Sequence, residues 1–261
     1  MRTIFSIVNQ KGGVGKTTTA VNLATALSIS GKSCLVIDLD PQGNASTGFS
    51  IQSDRRVPGT YEVLTQKVDL ADAIKSTEVN GLGVVPSSVA LSKAEYELPE
   101  SAEKEFVLKS AISKLPSQYN AIIIDCPPGL GFLTTNALAA SNKVLVPLQC
   151  EFYALEGLSQ ILRVIKNVKS ELNDSLDLDG ILLTMYDSRN KLSFQVEEDV
   201  REVMGSAVYE TIIPRNIKIS EAPSHGKPIL LYDHTCIGSE AYVNLAAEVL
   251  KKGNFGGLGS N

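Results

Sequence analysis

The chain has 261 residues, 43% of them apolar and 20% charged, with a formal net charge of −5. That length can bury one substantial core, and the acidic total excludes a uniformly basic surface, so any affinity for nucleic acid or an anionic membrane must come from a local patch. No apolar run reaches the roughly 18 to 20 residues of a membrane span, and the first apolar segment begins by residue 3, so a cytoplasmic protein without a signal peptide is expected.

The first predicted strand, residues 4–8, leads into Gln10-Lys11-Gly12-Gly13-Val14-Gly15-Lys16-Thr17-Thr18. The strict phosphate-loop pattern G-x-x-x-x-G-K-[ST] would place a glycine where Gln10 stands, and this loop carries a second lysine, Lys11. The physical requirements of the loop are met all the same. Gly12, Gly13 and Gly15 leave backbone N–H groups unobstructed around a polyphosphate, Lys16 reaches its outer phosphates, and Thr17 offers a hydroxyl to Mg²⁺. Residues 18–30 carry Val21, Leu23, Ala24 and Leu27 at near-helical spacing, which predicts a helix whose N-terminus faces the anion. The expected ligands are therefore ATP and Mg²⁺, on a site comprising Lys11, Gly12, Gly13, Val14, Gly15, Lys16, Thr17 and Thr18.

The second predicted strand, residues 34–37, ends in Asp38-Leu39-Asp40-Pro41-Gln42-Gly43-Asn44. Asp38 is a candidate near the Mg²⁺ shell and Asp40 a candidate for orienting or activating the attacking water. Turn formation or helix capping is the competing role for both, beside proline and glycine. Residues 49–80 are polar and include Pro58 and Gly59, which predicts short surface helices. A further strand is expected at 82–85, and another at 121–124 that ends in Asp125-Cys126-Pro127-Pro128-Gly129. An apolar strand ending in an acid is the form of a Walker B element, so Asp125 is the third metal candidate. Gly129, Leu130 and Gly131 follow it, and residues 125–131 form a candidate switch that responds to a γ-phosphate.

Further strands are expected at 144–147, 181–185 and 208–213, separated by amphipathic segments around Leu155 to Leu172 and Val196 to Val203. Several strands are continuous apolar runs, as in parallel sheets covered on both faces. The fold class is thus α/β, a P-loop NTPase with a largely parallel twisted sheet and helices on both faces, in one domain over residues 1–252. A glycine-rich tail over 253–261 is expected to fray. Cys34, Cys126, Cys150 and Cys236 are widely spaced, three of them in or beside apolar runs, which suits reduced core thiols.

Four segments together resemble the ParA/Soj family of chromosome- and plasmid-partitioning ATPases over residues 1 to about 250. They are the two-lysine loop, Asp38 to Asn44, Asp125-Cys-Pro-Pro, and the run from Ile213-Pro-Arg-Asn216 through Ser220-Glu-Ala-Pro-Ser-His-Gly-Lys-Pro228. The resemblance implies a slow ATPase that forms an ATP-dependent homodimer, with Lys11 reaching the partner's nucleotide and Gly12 at the close approach between subunits. It implies adenine near Met185, Pro214 and Asn216. It also implies DNA binding without sequence preference through Arg189 and Lys218, with Lys191, Arg215 and Lys227 nearby in sequence, stimulation by a ParB-type centromere-binding partner, and association with the nucleoid when ATP is bound. An operator-reading segment ahead of the loop is not expected.

The alternative is a MinD-like membrane-cycling ATPase, which shares the deviant loop but ends in a basic amphipathic helix. Residues 245–252 read instead as a core-facing helix, and no membrane partner is expected. An iron-protein-like reductase would need cluster-ligating cysteines that Cys126 alone does not supply.

Overall fold

The computed structural model describes residues 2–98 and 103–253. Seven strands, β1 (Thr3–Ile7), β2 (Cys34–Asp38), β3 (Lys75–Ser76), β4 (Leu82–Val85), β5 (Ala121–Asp125), β6 (Lys143–Gln149) and β7 (Asp177–Thr184), form one sheet in the order β3-β4-β2-β5-β1-β6-β7. All neighbours are parallel except the short edge strand β3, which pairs antiparallel with β4.

The continuous apolar runs arise because both faces of the sheet are covered. Leu35, Ile37, Ile122, Ile124, Val144 and Val146 point to one core, against the helices Phe132–Ala140, Ala154–Glu171 and Lys191–Met204. Val36, Ile123, Leu145, Phe5 and Ile7 point to the other, against the helices Lys16–Ile29 and Ile237–Lys251. Alternation is present along each strand, but both sets are apolar.

The Lys16–Ile29 helix carries its apolar residues at near-helical spacing, yet the polar Asn22, Thr25 and Ser28 are buried along with Leu23 and Leu27. The helix lies between the sheet and the Ile237–Lys251 helix, whose Tyr242, Leu245, Ala246 and Val249 are buried in the same core. Two of these polar residues are tied back to the backbone. Thr25 Oγ1 donates to Val21 O at 2.8 Å and Asn22 Nδ2 to Thr18 O at 2.8 Å. Residues 245–252 are thus the end of a core helix, as expected.

Two expectations are corrected. The strand predicted at 208–213 is not one: it tracks β7 through isolated contacts, with Tyr209 N donating to Ile181 O (2.9 Å) and Ile213 N to Leu183 O (2.9 Å). Between them the donors of Glu210 and Thr211 turn to the Glu248 carboxylate at 2.8 and 3.0 Å, which interrupts the ladder. Residues 49–80 do form short helical turns, but they are not simply surface structure. Ile51, Val63, Leu64, Leu70 and Ala73 are buried, and the segment contributes β3 to the sheet edge. From residue 254 onward the expected tail lies outside the described residues.

Candidate functional site

The loop between β1 and the Lys16–Ile29 helix opens at the carboxyl end of β1, between β5 and β6. Its shape requires glycine at two points, because Gly13 has φ 77° and Gly15, the N-cap of the helix, has φ 91°. The loop is anchored on both sides. Asn9 Nδ2 donates to Pro147 O (2.7 Å), Asn9 Oδ1 accepts from Lys11 N (3.0 Å), and Thr184 Oγ1 donates to Val14 O (2.9 Å). The candidate switch is tied to it directly, since Gly129 N donates to Gln10 O at 3.1 Å.

The two lysines of the loop sit in different surroundings. Lys16 is 6% exposed, its Nζ donates to Lys11 O at 2.9 Å, and burial pushes its ammonium below the usual lysine range, opposed by Asp125, Cys126 and Asp40. The side chain of Lys11 is exposed and pairs with Glu151, in the turn after β6. A buried cation folded over a ring of glycine N–H groups is an anion site, and a solvent-facing cation on the same loop is available to something outside.

The three predicted acids come together at the ends of adjacent strands, with Asp38 on β2 in register with Asp125 on β5. Asp38 is engaged: Oδ2 accepts from Ser46 N (2.7 Å) and Ser46 Oγ (2.6 Å), and Oδ1 from Asp40 N (3.2 Å). Asp40 is 7% exposed and its Oδ1 accepts from Gln42 N at 2.9 Å, a turn-forming bond that leaves the other oxygen to the site. Asp125 differs from both, because its two oxygens are buried and neither has a hydrogen-bond partner. The Thr17 hydroxyl is near enough to favour the carboxylate without forming a well-aligned bond.

Burial raises both buried acids, with lesser help from neighbouring carboxylates: Asp40 beside Asp38, and Asp38 and Asp40 beside Asp125. Asp38 is pushed up to about 6, and Asp125 rises well above the carboxylate range, first by burial and then by Asp38. A bare buried carboxylate oxygen pair beside a threonine hydroxyl fits a hard divalent cation such as Mg²⁺. Asp125 and Thr17 have the open acceptor capacity, whereas three donors already occupy Asp38.

The sign of the pH dependence follows. Folded-state values above the unfolded ones mean that the folded protein holds protons more tightly. The contribution is therefore fully present below about pH 4 and is lost as pH rises through the raised values. Nucleotide-free Asp125→Asn should be more stable than the native sequence by at least about 1 kcal/mol at pH 7.5 and by almost nothing at about pH 3, below the unfolded carboxylate range. Denaturant titrations at the two pH values check this. An equal or lower stability at pH 7.5 would mean that Asp125 is not an uncompensated buried charge.

Beside the loop, a cavity of about 510 Å³ is lined by Gly15, Thr18, Thr184, Met185, Pro214 and Asn216 among others. All three predicted adenine-site residues thus share one cavity with the phosphate loop. Met185 adopts φ 53°, a conformation that costs a non-glycine residue about 1 to 3 kcal/mol and concentrates at ligand sites. Asn216 caps the next helical turn, its side chain accepting from Lys218 N at 2.8 Å.

The predicted basic contacts, Arg189 and Lys218, are exposed at the ends of the two loops that line this cavity. Each is paired with an acid: Arg189 with Asp187 at 2.9 Å and Lys218 with Glu221 at 3.0 Å. Sequence reasoning missed Asn9, Ser46, Glu151 and Thr184 as parts of the site. A signal existed for Glu151 and Thr184, since both stand at the carboxyl ends of strands, where ligand loops of open α/β sheets gather. Asn9 stands just past β1 by the same rule, whereas Ser46 carried no local mark because the fold brings it back onto Asp38, eight residues earlier.

A family model described as an AAA domain matches residues 1–178. The chain is 50% identical over 251 residues to the chromosome partitioning protein ParA of Caulobacter vibrioides, covering 95% of this chain and 94% of that protein. It is 49% identical over 253 residues to the sporulation initiation inhibitor protein Soj of Bacillus subtilis, covering 97% and 100%. Among solved structures, the septum site-determining protein MinD of Pyrococcus horikoshii complexed with Mg-ADP is 28% identical with TM-score 0.82, covering 97% of this chain and 98% of that one. A cobyrinic acid a,c-diamide synthase from Mycobacterium smegmatis with bound ADP and magnesium is 36% identical with TM-score 0.84, covering 96% and 95%. Full-length identity near one half joins a site of matching form, and the chain belongs to the ParA/Soj family of chromosome-partitioning P-loop ATPases.

Proposed function

We propose that the chain is an ATP-driven partitioning switch: ATP binding drives a sandwich dimer that holds DNA without sequence preference, and slow hydrolysis, stimulated by a ParB-type centromere-binding partner, returns it to the monomer. The observation that carries this reading is the division of labour between Lys16, buried over the phosphate loop, and Lys11, exposed on the same loop.

The phosphates of ATP lie against the glycine N–H groups and Lys16, and the adenine in the cavity of Met185, Pro214 and Asn216. Thr17 and Asp125 would hold Mg²⁺, with Asp38, held by Ser46, beside Asp125 on the neighbouring strand. Held there, the ion would offset negative charge on the outer phosphates. Asp40 orients the attacking water. Two polyphosphates brought face to face repel, and a cation from each subunit offsets that repulsion only when the other subunit is present. Within one subunit Lys11 rests on Glu151, an exposed pair that a partner's phosphates displace at small cost. The nucleotide-free form resides in the cytoplasm and the ATP form on the nucleoid.

Sizing the protein with ATP, with ADP and without nucleotide tests the reading. A dimer should form with ATP alone, and Lys11→Ala should bind ATP yet remain monomeric under the same conditions. A Lys11→Ala protein that dimerises as well as the native chain would rule out the cross-subunit role.

A further inference from the structure

The two loops that line the nucleotide cavity are joined to each other. Tyr186 N donates to Ile213 O at 3.1 Å and Arg215 N to Tyr186 O at 2.8 Å, which ties the two segments together at Tyr186. They present Met185, Pro214, Arg215 and Asn216 to the cavity, and outside its lining they carry the exposed Arg189 and Lys218.

Both outer cations proposed for DNA are held by local acids in a phosphate-like manner. Asp187 receives Arg189 Nε on Oδ1 (3.0 Å) and Nη2 on Oδ2 (2.9 Å), the two-pronged geometry that a phosphate would offer, and Oδ1 also accepts Arg189 N at 3.0 Å. Arg189 beside it, and then Arg215 at longer range, holds the Asp187 carboxyl down at about 2, so it is ionised across the physiological range. Glu221 Oε2 accepts from Lys218 Nζ at 3.0 Å and from the Tyr232 hydroxyl at 3.1 Å, and the Lys218 ammonium also lies 5.6 Å from the Tyr232 ring centroid.

We propose that Asp187 and Glu221 are built-in competitors for nucleic-acid phosphate, which must be displaced from Arg189 and Lys218 before either cation contacts the backbone. This rests on the DNA-binding reading above and adds its regulation. A polyanion gains from each protein cation mainly by releasing counterions, and a cation already neutralised by its own carboxylate releases fewer. One subunit therefore binds weakly, while two subunits joined by ATP add their contacts on one strand of DNA. The exposed pairs are weak enough to open under that combined pull.

The test measures affinity for a non-specific DNA duplex against salt concentration, with ATP present, for Asp187→Asn and Glu221→Gln. Asparagine keeps an oxygen for Arg189 N, so the loop is preserved while the charge is removed. Glutamine likewise keeps an acceptor for Tyr232. Each variant should bind about three- to tenfold more tightly near 0.1 M salt, with a log–log salt slope steeper by about 0.9 per subunit. Asp187→Glu should restore the native slope. Unchanged or weaker affinity with an unchanged slope in both variants overturns the proposal.

Arg189→Ala and Lys218→Ala in the native background separate this failure from that of the underlying reading. Loss of DNA affinity there, without gain in the acid variants, leaves DNA binding intact and removes the competitor role. No loss in either alanine variant removes the DNA contact itself.

Discussion

Lys16→Ala should bind ATP at least about 100-fold more weakly than the native protein, a loss near 3 kcal/mol. The size follows from burial. Lys16 is 6% exposed, and its ammonium has a single backbone acceptor, Lys11 O at 2.9 Å. A cation this poorly solvated gains more from a phosphate than an exposed one, because little hydration is given up on binding. Lys16→Arg should not rescue it, since the flat, longer guanidinium does not fit where one ammonium folds back over the loop. Calorimetric titration with ATP measures the effect, and the melting temperature without nucleotide confirms that the variant folds. Undiminished affinity in a folded Lys16→Ala protein would remove this loop from the nucleotide site.

Asp40→Ala is expected to bind ATP normally, to dimerise, and to hydrolyse at least about 100-fold more slowly, the ordinary scale for loss of a positioned general base. Asp40 is fixed from three directions: Asp38 Oδ1 accepts its N–H at 3.2 Å, its carbonyl accepts Gly43 N at 2.9 Å, and its Oδ1 accepts Gln42 N at 2.9 Å. The last bond creates a rival explanation, a role in shaping the turn alone. Asp40→Asn separates the two, because the amide oxygen still accepts from Gln42 N while the base is gone. Single-turnover hydrolysis as slow in the asparagine variant as in the alanine variant supports the base. A native rate in asparagine with a slow rate in alanine would assign Asp40 to the turn.

Much of the site was legible in sequence because its chemistry is local. Gly13, Gly15 and Lys16 belong to one turn, and the same short segment fixes both the backbone shape and the charge. Six of the seven expected strands stand where their apolar runs placed them, since continuous apolar character requires cover on both faces. The seventh, at 208–213, shows the limit. Its residues suit a strand, but Glu248, far along the chain, takes the donors that a ladder would need. The edge strand β3 is two residues long and leaves no periodic trace.

The acids show the same division. Asp38, Asp40 and Asp125 were each marked by position at a strand end, but which of them has room for a metal was not written in any local pattern. Asp38 and Asp125 end similar apolar strands. They differ because Ser46 folds back onto Asp38, while the Thr17 hydroxyl near Asp125 makes no well-aligned bond to it. The pairing of Arg189 and Lys218 with Asp187 and Glu221 was likewise hidden among ordinary surface charges.

The sequence alone therefore determined the class of fold, the phosphate loop with its two lysines, and the set of acids around it. These follow from short-range constraints on backbone freedom, charge and apolar period. The tertiary structure decided which groups remain unsatisfied: the bare carboxylate of Asp125, the buried ammonium of Lys16, and the exposed Lys11 resting on Glu151. A group's open valence depends on which distant donors and acceptors reach it, and that is settled only when β1, β2, β5 and β6 bring their loops to one edge of the sheet.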